Sequence, residues 1–329
     1  MREHRIRFAG TIAFADGVAE VTLEDRAGLV SAGPAAALDH GGVPVLDARP
    51  DRATVDELAA LVRERRPAVL YGAGSGAVLD AVKLAAAHAE HAGELVLIPA
   101  GDEPWRAFAP FSVVDHGPER PTHGDATGGR ARVVIVADLL AALDARTVAV
   151  SALDTAVHAV EVQLSARAQP YAQALAATAL RIVAGRLDAA MAGARAARVE
   201  LVLAAGMAVE AFMGTNLGIA HALASPLGTR LGVTHDTINA VLGRWALTFR
   251  PDPERLAALA AALGAAEPVA ALDDLLERAG LPRTLRGLGI AWDAVEATLP
   301  VAVTSSGIRG AVSLDELRAF ARVAWDNDE

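Results

Sequence analysis

Three histidines and one aspartate in the second half of the chain have a spacing that suits a metal site. Residues 151–329 contain the histidines His158, His221 and His235 and no others. Asp154 precedes His158 by four positions in an apolar run that predicts a helix, so the two side chains lie on one buried face and can share a cation. Alone, this pair fits a hydrogen-bonded core as well as a metal site.

The other two histidines lie where predicted helices meet a turn. His221 lies near the end of a predicted helix over 195–224, which breaks at Ser225-Pro226-Leu227-Gly228, and His235 follows fourteen residues after His221. Thr234 is the predicted N-cap of the helix that His235 begins. Two helices joined in this way can present both imidazoles to one point. Since the chain has no cysteine, any metal must be held by His, Asp or Glu.

A glycine-rich turn in the first half of the chain suits a phosphate. The segment Tyr71-Gly72-Ala73-Gly74-Ser75-Gly76 follows a predicted strand and leads into a helix that contains Asp80 and Lys83. Glycines let the backbone approach a pyrophosphate, and a helix N-terminus stabilises its charge. Glycine clusters also occur at ordinary tight turns between a strand and a helix, so the motif is weak on its own.

The elements that must position these residues differ between the two halves. Up to about residue 140, short apolar strands alternate with amphipathic helices, which predicts an α/β domain with a parallel sheet over 1–150. From Leu153 onward, Ala/Leu helices follow one another, which predicts an all-α domain over 151–329. The predicted strands lie near 43–46, 68–71, 95–98 and 132–136, and the predicted helices near 54–66, 79–91, 153–165, 171–192, 195–224, 235–247, 253–264, 269–278 and 313–325. Residues 101–130 are expected to form a long surface loop.

Composition and charge argue against several kinds of protein. The 329 residues carry a net charge of −10 with acidic and basic residues interspersed, so no nucleic-acid partner is expected. The N-terminal residues lead into no apolar stretch long enough for a signal peptide, and later apolar runs are short or broken by charge. We therefore expect a cytoplasmic protein with no membrane partner. The lack of cysteine excludes disulfides and thiolate nucleophiles.

Taken together, these motifs resemble the iron-containing alcohol dehydrogenase family. The segment Asp154-Thr155-Ala156-Val157-His158-Ala159-Val160-Glu161 is similar to the family's Asp-x-x-x-His-x-x-Glu helix. Residues 216–228 with 235–240 are similar to its second ligand region, with the same fourteen-residue interval. The resemblance implies that one divalent ion, Fe(II) or Zn(II), is bound by Asp154, His158, His221 and His235.

The resemblance extends to the first half, where it implies a Rossmann-like domain that binds NAD or NADP. The residues implied to contact the nucleotide are Gly74, Ser75, Gly76, Asp80 and Lys83. Ser225 stands where many members carry a further histidine that assists proton transfer, so Ser225 is the expected catalytic residue and would relay a proton. After Ile98-Pro99, the family's Thr- and Ser-rich loop is replaced by Ala100-Gly101-Asp102-Glu103-Pro104-Trp105, whose two acids are expected to repel a pyrophosphate.

The function implied by the resemblance is the interconversion of an alcohol and an aldehyde or ketone in a cleft between the two domains. The metal would bind the substrate oxygen while hydride passes to or from the nicotinamide. The expected substrate is a small alcohol or carbonyl compound, and the expected assembly is a homodimer. Alternatives are a sugar-phosphate dehydrogenase or cyclase, and a daptide-type peptide dehydrogenase that oxidises a C-terminal threonine with loss of carbon dioxide. A last alternative is a non-catalytic partner subunit that retains the metal site structurally.

Overall fold

The fold is described from a computed structural model, which covers residues 10–21, 29–31, 33, 35, 38, 51–113, 122–123, 131–232 and 234–327. The predicted strand at 43–46 lies outside these residues. A sheet unit lies within Arg7–Val148 and Ala189–Gly206, and a helical unit lies within Ala149–Asp188 and Met207–Glu329. The functional domains predicted at 1–150 and 151–329 stay predictions.

A parallel five-stranded sheet forms the centre of the sheet unit, as predicted. Its strands are β1 (Thr11–Ala15), β2 (Leu29–Ser31), β3 (Val69–Gly74), β4 (Glu94–Pro99) and β7 (Ala131–Val136), while β5 (Ser112–Val113) and β6 (Thr122–His123) form a separate antiparallel pair. The strand order is β1-β7-β4-β3-β2, and each neighbouring pair is parallel. β3 is buried along its whole length and β4 is buried after Glu94, because each lies between two other strands and is apolar.

Helices alternate with the strands of this sheet along the chain, as predicted. They include α1 (Arg52–Arg65), α2 (Gly76–His88) and α3 (Ala137–Ala141). α1 begins where the Asp51 side chain accepts a hydrogen bond from the Thr54 amide at 2.9 Å. α2 lies very close to β3, since a Cβ at Gly72 would be 3.1 Å from the Val82 side chain. This close approach fixes where α2 begins relative to the end of β3.

The segment after β4 is packed into the sheet unit and is not an open surface loop. A short 3-10 turn forms at Pro104–Ala107, and Trp105, Arg106 and Phe108 are buried. The Trp105 and Phe111 rings lie 6.1 Å apart. The prediction of a surface loop over 101–130 is therefore wrong for 101–113, because aromatic side chains and paired charges bury a segment whose polar composition favours exposure. Residues 114–121 and 124–130 lie outside the described part of the chain.

Helices make up the helical unit, although the end of α5 and most of α6 are counted with the sheet unit. They are α4 (Ala145–Leu164), α5 (Pro170–Met191), α6 (Arg195–Phe212), α7 (Ile219–Leu231), α8 (His235–Ala246), α9 (Pro253–Leu263), α10 (Pro268–Arg278), α11 (Trp292–Glu296), α12 (Leu299–Ala302) and α13 (Leu314–Asp326). Ser313 and Glu316 form a capping box at the start of α13. Within the described residues no single helix has the length and apolar character to cross a membrane, and only α9 and α10 together pass that test, as a pair bent by 41°.

The helix predicted over 195–224 is two helices. α6 ends at Phe212, and Asn216 has a left-handed φ of 64° that stops it from continuing. α7 then begins at Ile219 and continues through Pro226, so the break predicted at Ser225-Pro226 is wrong as well. A proline inside a helix removes one backbone hydrogen bond. Burial of the residues on both sides of Pro226 keeps α7 intact despite that loss.

Candidate metal centre

Helix α4 carries the first two predicted ligands. Asp154 and His158 lie one turn apart on its buried face, with exposed fractions of 0% and 1%. His158 Nδ1 lies 3.3 Å from Asp154 Oδ2 and 3.0 Å from the Asp154 carbonyl oxygen. The His158 ring stacks on Phe212 at a centroid distance of 5.0 Å. These contacts hold the imidazole in one orientation against α4.

Helix α7 brings His221 to the same point. His221 Nε2 lies 3.7 Å from Asp154 Oδ1, and the centroids of the His158 and His221 rings are 4.2 Å apart. One potential ligand atom from each of Asp154, His158 and His221 lies within 4.8 Å of the other two. Two imidazoles and a carboxylate at such separations can surround one divalent cation. The structure thus brings three of the predicted ligands together.

The fourth predicted ligand, His235, is the first residue of α8. It is 4% exposed, and its ring centroid is 6.2 Å from that of His221. His235 Nδ1 lies 3.4 Å from Asp236 Oδ1. His235 therefore lies beside the cluster of three, but neither of its ring nitrogens lies within 4.8 Å of all three ligand atoms of that cluster. Thr234 is the N-cap residue, as predicted, but its side chain makes no capping hydrogen bond.

Glu161 fixes the orientation of His221, a role that the sequence pattern did not assign to it. Its Oε2 atom accepts hydrogen bonds from the Gly218 amide and from His221 Nδ1, and Oε1 accepts one from the Ala220 amide, each at 2.7 Å. Because an ionised carboxylate only accepts hydrogen bonds, His221 carries its proton on Nδ1 and keeps a lone pair on Nε2. Gly218 must be small here, since a Cβ would lie 2.8 Å from Glu161 Oε1. The sequence signal was the glutamate that ends the Asp-x-x-x-His-x-x-Glu motif.

Asn239 is a second residue of the site that the sequence pattern did not indicate. It is 0% exposed and lies one turn after His235 in α8. Its Nδ2 atom is 2.6 Å from Asp154 Oδ1 and 2.6 Å from His221 Nε2. The available signal was its four-residue spacing from His235, which puts both side chains on one face of the helix.

Burial and mutual contacts set the charges of the cluster. Burial alone would raise the pKa of Asp154, but His158, His235 and His221 lower it below its usual value. Burial would also raise the pKa of Glu161, yet His221 and two backbone amides lower it. Burial and His158 lower the pKa of His221 against the opposing effect of the two carboxylates. Near neutral pH the site therefore holds two carboxylates and a neutral His221, the protonation state that binds a cation.

The donor atoms of this cluster fit a divalent metal ion. Asp154 Oδ2 is buried and lies 3.3 Å from His158 Nδ1, and the Asp154 carboxyl group is ionised. A buried ionised oxygen requires a compensating positive charge. Carboxylate oxygen and imidazole nitrogen are ligand types that Fe(II) and Zn(II) both accept.

Ser225, the predicted catalytic residue, lies in α7 one turn after His221. Its side chain is partly exposed, and its carbonyl oxygen accepts a hydrogen bond from Thr229 Oγ1 at 3.1 Å. The spacing places Ser225 on the face of α7 that carries His221. Its part in proton transfer stays a prediction.

The glycine-rich turn joins β3 to α2 in the sheet unit. Gly74 has a φ of 149°, and Ser75 is the N-cap residue of α2, with a buried hydroxyl that has no hydrogen-bond partner among the described residues. The Gly76 amide donates to the Asp102 carbonyl at 2.9 Å, so it is not available to a phosphate oxygen. A Cβ at Gly76 would lie 2.5 Å from Arg106 Cδ. The segment that contains Arg106 therefore packs too closely on position 76 for any residue larger than glycine. Contact of this turn with a nucleotide stays a prediction.

Asp80 and Lys83, which the resemblance assigned to the nucleotide, belong to a buried charge network. Lys83 is 0% exposed, and its Nζ atom donates to three carbonyls of residues 106–111 at 2.6 to 3.1 Å. It also pairs with Asp80 at 2.7 Å. Burial lowers the pKa of Lys83, while Asp80 opposes that change. The geometry gives both residues a structural role, and their contact with a nucleotide stays a prediction.

Glu103 is part of the same network. It is 5% exposed and pairs with Arg106 Nη2 at 2.7 Å, and Arg106 also pairs with Asp80. Burial would lower the pKa of Arg106, but Glu103 and Asp80 raise it above its usual value. The charge of Glu103 is therefore compensated within the sheet unit. The prediction that Glu103 repels a pyrophosphate therefore does not hold, because Arg106 neutralises its charge.

Comparison with solved structures defines the class of fold. Sulfoacetaldehyde reductase from Bifidobacterium kashiwanohense, solved in complex with NAD⁺, matches the chain with a TM-score of 0.83, covering 100% of both chains at 18% sequence identity. At that identity the likeness shows the fold alone, which is the fold of the iron-containing alcohol dehydrogenases.

Sequence comparison then identifies the family. The Fe-containing alcohol dehydrogenase family, C-terminal, matches residues 148–312, about half of the chain. Long-chain-alcohol dehydrogenase 1 of Geobacillus thermodenitrificans (strain NG80-2) is 26% identical over 313 residues, which cover 84% of this chain and 79% of that protein. The 1,3-propanediol dehydrogenase of Klebsiella pneumoniae is 33% identical over 159 residues, 43% of this chain and 41% of that protein. The chain belongs to the iron-containing alcohol dehydrogenase family.

Family membership confirms the predicted class of enzyme. The resemblance, the fold class and the assignment to oxidoreductases that interconvert alcohols and carbonyl compounds are confirmed. An enzyme is thereby favoured over the alternative of a non-catalytic subunit. The choice of metal and of nucleotide belongs to the proposal below, and the cytoplasmic location and the homodimer stay predictions.

Proposed function

We propose that the chain is an iron-dependent, NAD(P)-linked dehydrogenase that interconverts a small alcohol and its aldehyde or ketone. The observation that carries the proposal is the buried cluster of Asp154, His158 and His221, whose ligand atoms lie within 4.8 Å of one another. It lies in the part of the chain that matches the family. The relatives are named for long-chain alcohols and 1,3-propanediol, which favours an alcohol over the peptide and sugar-phosphate alternatives.

The four predicted ligands, Asp154, His158, His221 and His235, would hold the metal ion. When bound, a divalent ion supplies Lewis acidity that lowers the pKa of an alcohol hydroxyl. Iron is proposed because the matching family is described as Fe-containing. All four side chains are at most 5% exposed, and electrostatic interactions are stronger in such surroundings than in water.

The other residues of the site would prepare it for the reaction. Glu161 holds the proton of His221 on Nδ1 and so directs the Nε2 lone pair toward Asp154. Phe212 stacks on His158 and excludes water from that side of the ring. Ser225 Oγ would pass the hydroxyl proton of the substrate toward solvent, since Ser225 is partly exposed and lies one turn from His221. Serine is a weak base but can relay a proton.

The glycine-rich turn of the sheet unit would bind the nucleotide. The Ser75 hydroxyl, which has no partner among the described residues, lies at the N-terminus of α2, where a phosphate is stabilised. Because the Gly76 amide already bonds to Asp102, the contact is proposed for Ser75 and the next amides of α2. The similar reductase was solved with NAD⁺, which supports a nicotinamide nucleotide.

His221→Ala tests the metal site. Loss of one imidazole from the buried cluster should abolish both tight retention of iron and turnover of alcohols. Iron per chain would be measured after anaerobic loading and gel filtration, and turnover by the absorbance of NADH or NADPH. His88→Ala is the control, because His88 is an exposed histidine of α2 in the sheet unit. A His221→Ala protein that kept iron and turnover would contradict the proposal.

Fluorescence titration of the iron-loaded protein with NADH and with NADPH tests the nucleotide site. Saturable binding of one of them is expected, and Ser75→Ala should weaken it. Ser306→Ala, at an exposed serine of the helical unit, should leave it unchanged. If neither nucleotide bound while iron was present, the proposed redox reaction would be wrong.

A further inference from the structure

The side chain of Asn239 lies between two of the predicted ligands. We propose that Asn239 is a positioning residue whose NH₂ group takes the place of the metal in the metal-free protein and must leave when the metal binds. This inference rests on the proposed metal-binding function. Nδ2 is 2.6 Å from both Asp154 Oδ1 and His221 Nε2, and these two ligand atoms are 3.7 Å apart.

The chemistry of imidazole makes the two states exclusive. With its proton on Nδ1 and bonded to Glu161, His221 has one lone pair left, in the ring plane at Nε2. That lone pair either accepts the hydrogen bond from Asn239 or binds a cation. Metal binding through Nε2 therefore requires that the Asn239 bond to His221 be broken.

The orientation of the Asn239 amide follows from its neighbours. Asp154 Oδ1 and His221 Nε2 are both acceptors, so the NH₂ group, with two hydrogens, must face them. Asn239 Oδ1 is buried and accepts no hydrogen bond from the described residues. The Asn239 side chain is thus held through its NH₂ group. Its displacement by a metal ion would mainly break the two hydrogen bonds to Asp154 Oδ1 and His221 Nε2.

Burial increases the free energy that would be lost if these two hydrogen bonds were broken without replacement. Asn239 and Asp154 are 0% exposed, and His221 is 5% exposed, so water has little access to either ligand atom. Without the amide, the metal-free protein would leave a buried carboxylate oxygen and a buried lone pair unsatisfied, which is costly. Asn239 therefore stabilises the protein in the absence of metal and opposes metal binding. Its position one turn after His235 links it to the helix that supplies the fourth predicted ligand.

Asn239→Ala separates this role from a purely structural one. The metal-free variant should unfold at lower denaturant concentration than the wild type, while the variant should bind the metal about tenfold more tightly, as expected when one competing hydrogen bond is removed. Chelator competition with Fe(II) and Zn(II) would give the dissociation constants. Gln163→Ala is the control, because Gln163 is a buried amide of α4 that donates to the Gln173 carbonyl at 2.6 Å. It should lower stability with and without metal and leave affinity unchanged. Equal or weaker metal binding by Asn239→Ala would overturn the proposal.

Selective labelling tests the wild-type protein directly, so the result does not depend on the variant folding. The asparagines of the chain are Asn216, Asn239 and Asn327, so ¹⁵N-asparagine labelling gives three pairs of side-chain NH₂ signals, assigned with Asn216→Ser and Asn327→Ser. Stoichiometric Zn(II), a diamagnetic substitute, should shift the Asn239 signals and speed their exchange with water. Unchanged Asn239 signals with Zn(II) bound would overturn the inference. Failure of wild type to bind either metal would instead contradict the proposed function.

Discussion

Glu161 accepts three hydrogen bonds, and glutamine cannot replace it in all of them. In Glu161→Gln one oxygen becomes an NH₂ group, which would face a backbone or imidazole N–H that also donates. Loss of this support for a ligand should weaken metal binding about 10- to 100-fold. Chelator competition measures the change. Glu210→Gln, at a half-buried glutamate of α6 whose pKa burial raises, serves as control and should bind metal like the wild type. Unchanged affinity in Glu161→Gln would show that the carboxylate does not support His221.

The sequence allowed the ligands to be proposed, but not the residues that hold them. Asp154 and His158 are visible as a helical i, i+4 pair, and family resemblance adds His221 and His235. Glu161 and Asn239 act through contacts with segments far away in sequence. The Gly218 amide is 57 residues from Glu161, and Asp154 is 85 residues from Asn239. Local spacing contains no information about such contacts.

At the scale of elements, the start of α4 determines how firmly the first two predicted ligands are held. Asp144 caps this helix, because its side chain accepts hydrogen bonds from the amide and the hydroxyl of Thr147, both at 2.8 Å. Asp144→Ala should lower the free energy of unfolding near neutral pH by about 1 kcal/mol. Urea unfolding at several pH values measures the difference. Asp144→Asn keeps a capping oxygen and should lose little.

The pH dependence of this cap has a definite sign. The Thr147 amide and hydroxyl lower the pKa of Asp144 below its usual value of 3.8. Stabilisation by a carboxylate with a lowered pKa is present above the unfolded value and lost as the pH falls through the folded value. The difference between the wild type and Asp144→Ala should therefore narrow in acid to about the difference between Asp144→Asn and Asp144→Ala, because a protonated carboxyl still offers one capping oxygen. A difference between the wild type and Asp144→Ala that did not narrow once the carboxylate was protonated would contradict this account.

Element types could be predicted better than element ends. The strands at 95–98 and 132–136 were visible as β-branched and Leu-rich runs, because buried parallel strands are apolar on both faces. The end of α6 was not visible, since Thr215 and Asn216 interrupt an otherwise helical composition and Asn216 is one of few residue types that tolerate a positive φ. The burial of 101–113 was also hidden, because it depends on Arg106 pairing with Asp80 of α2 as well as with Glu103 of the same segment.

At the scale of the whole molecule, metal should stabilise the helical unit and leave the sheet unit unchanged. All four predicted ligands lie in α4, α7 and α8. A metal at a hundredfold excess over its Kd adds about 2.7 kcal/mol to the stability of the state that binds it. Hydrogen exchange with and without metal should therefore slow in these three helices and stay the same in β3 and β4. In His221→Ala, added metal should change hydrogen exchange neither in these three helices nor in β3 and β4. Slowing spread equally over both units would contradict a local effect.

The free backbone amides at the start of α7 are capped by a carboxylate from a different helix, Glu161 of α4. Glu161 accepts the amides of Gly218 and Ala220 and also holds His221, so helix initiation and ligand orientation share one group. A brief local opening of this turn would release all three contacts together. The lifetime of the bound metal would then be set by how often one helical turn frays. Metal loss on dilution into chelator should follow that opening rate, long before the chain as a whole unfolds.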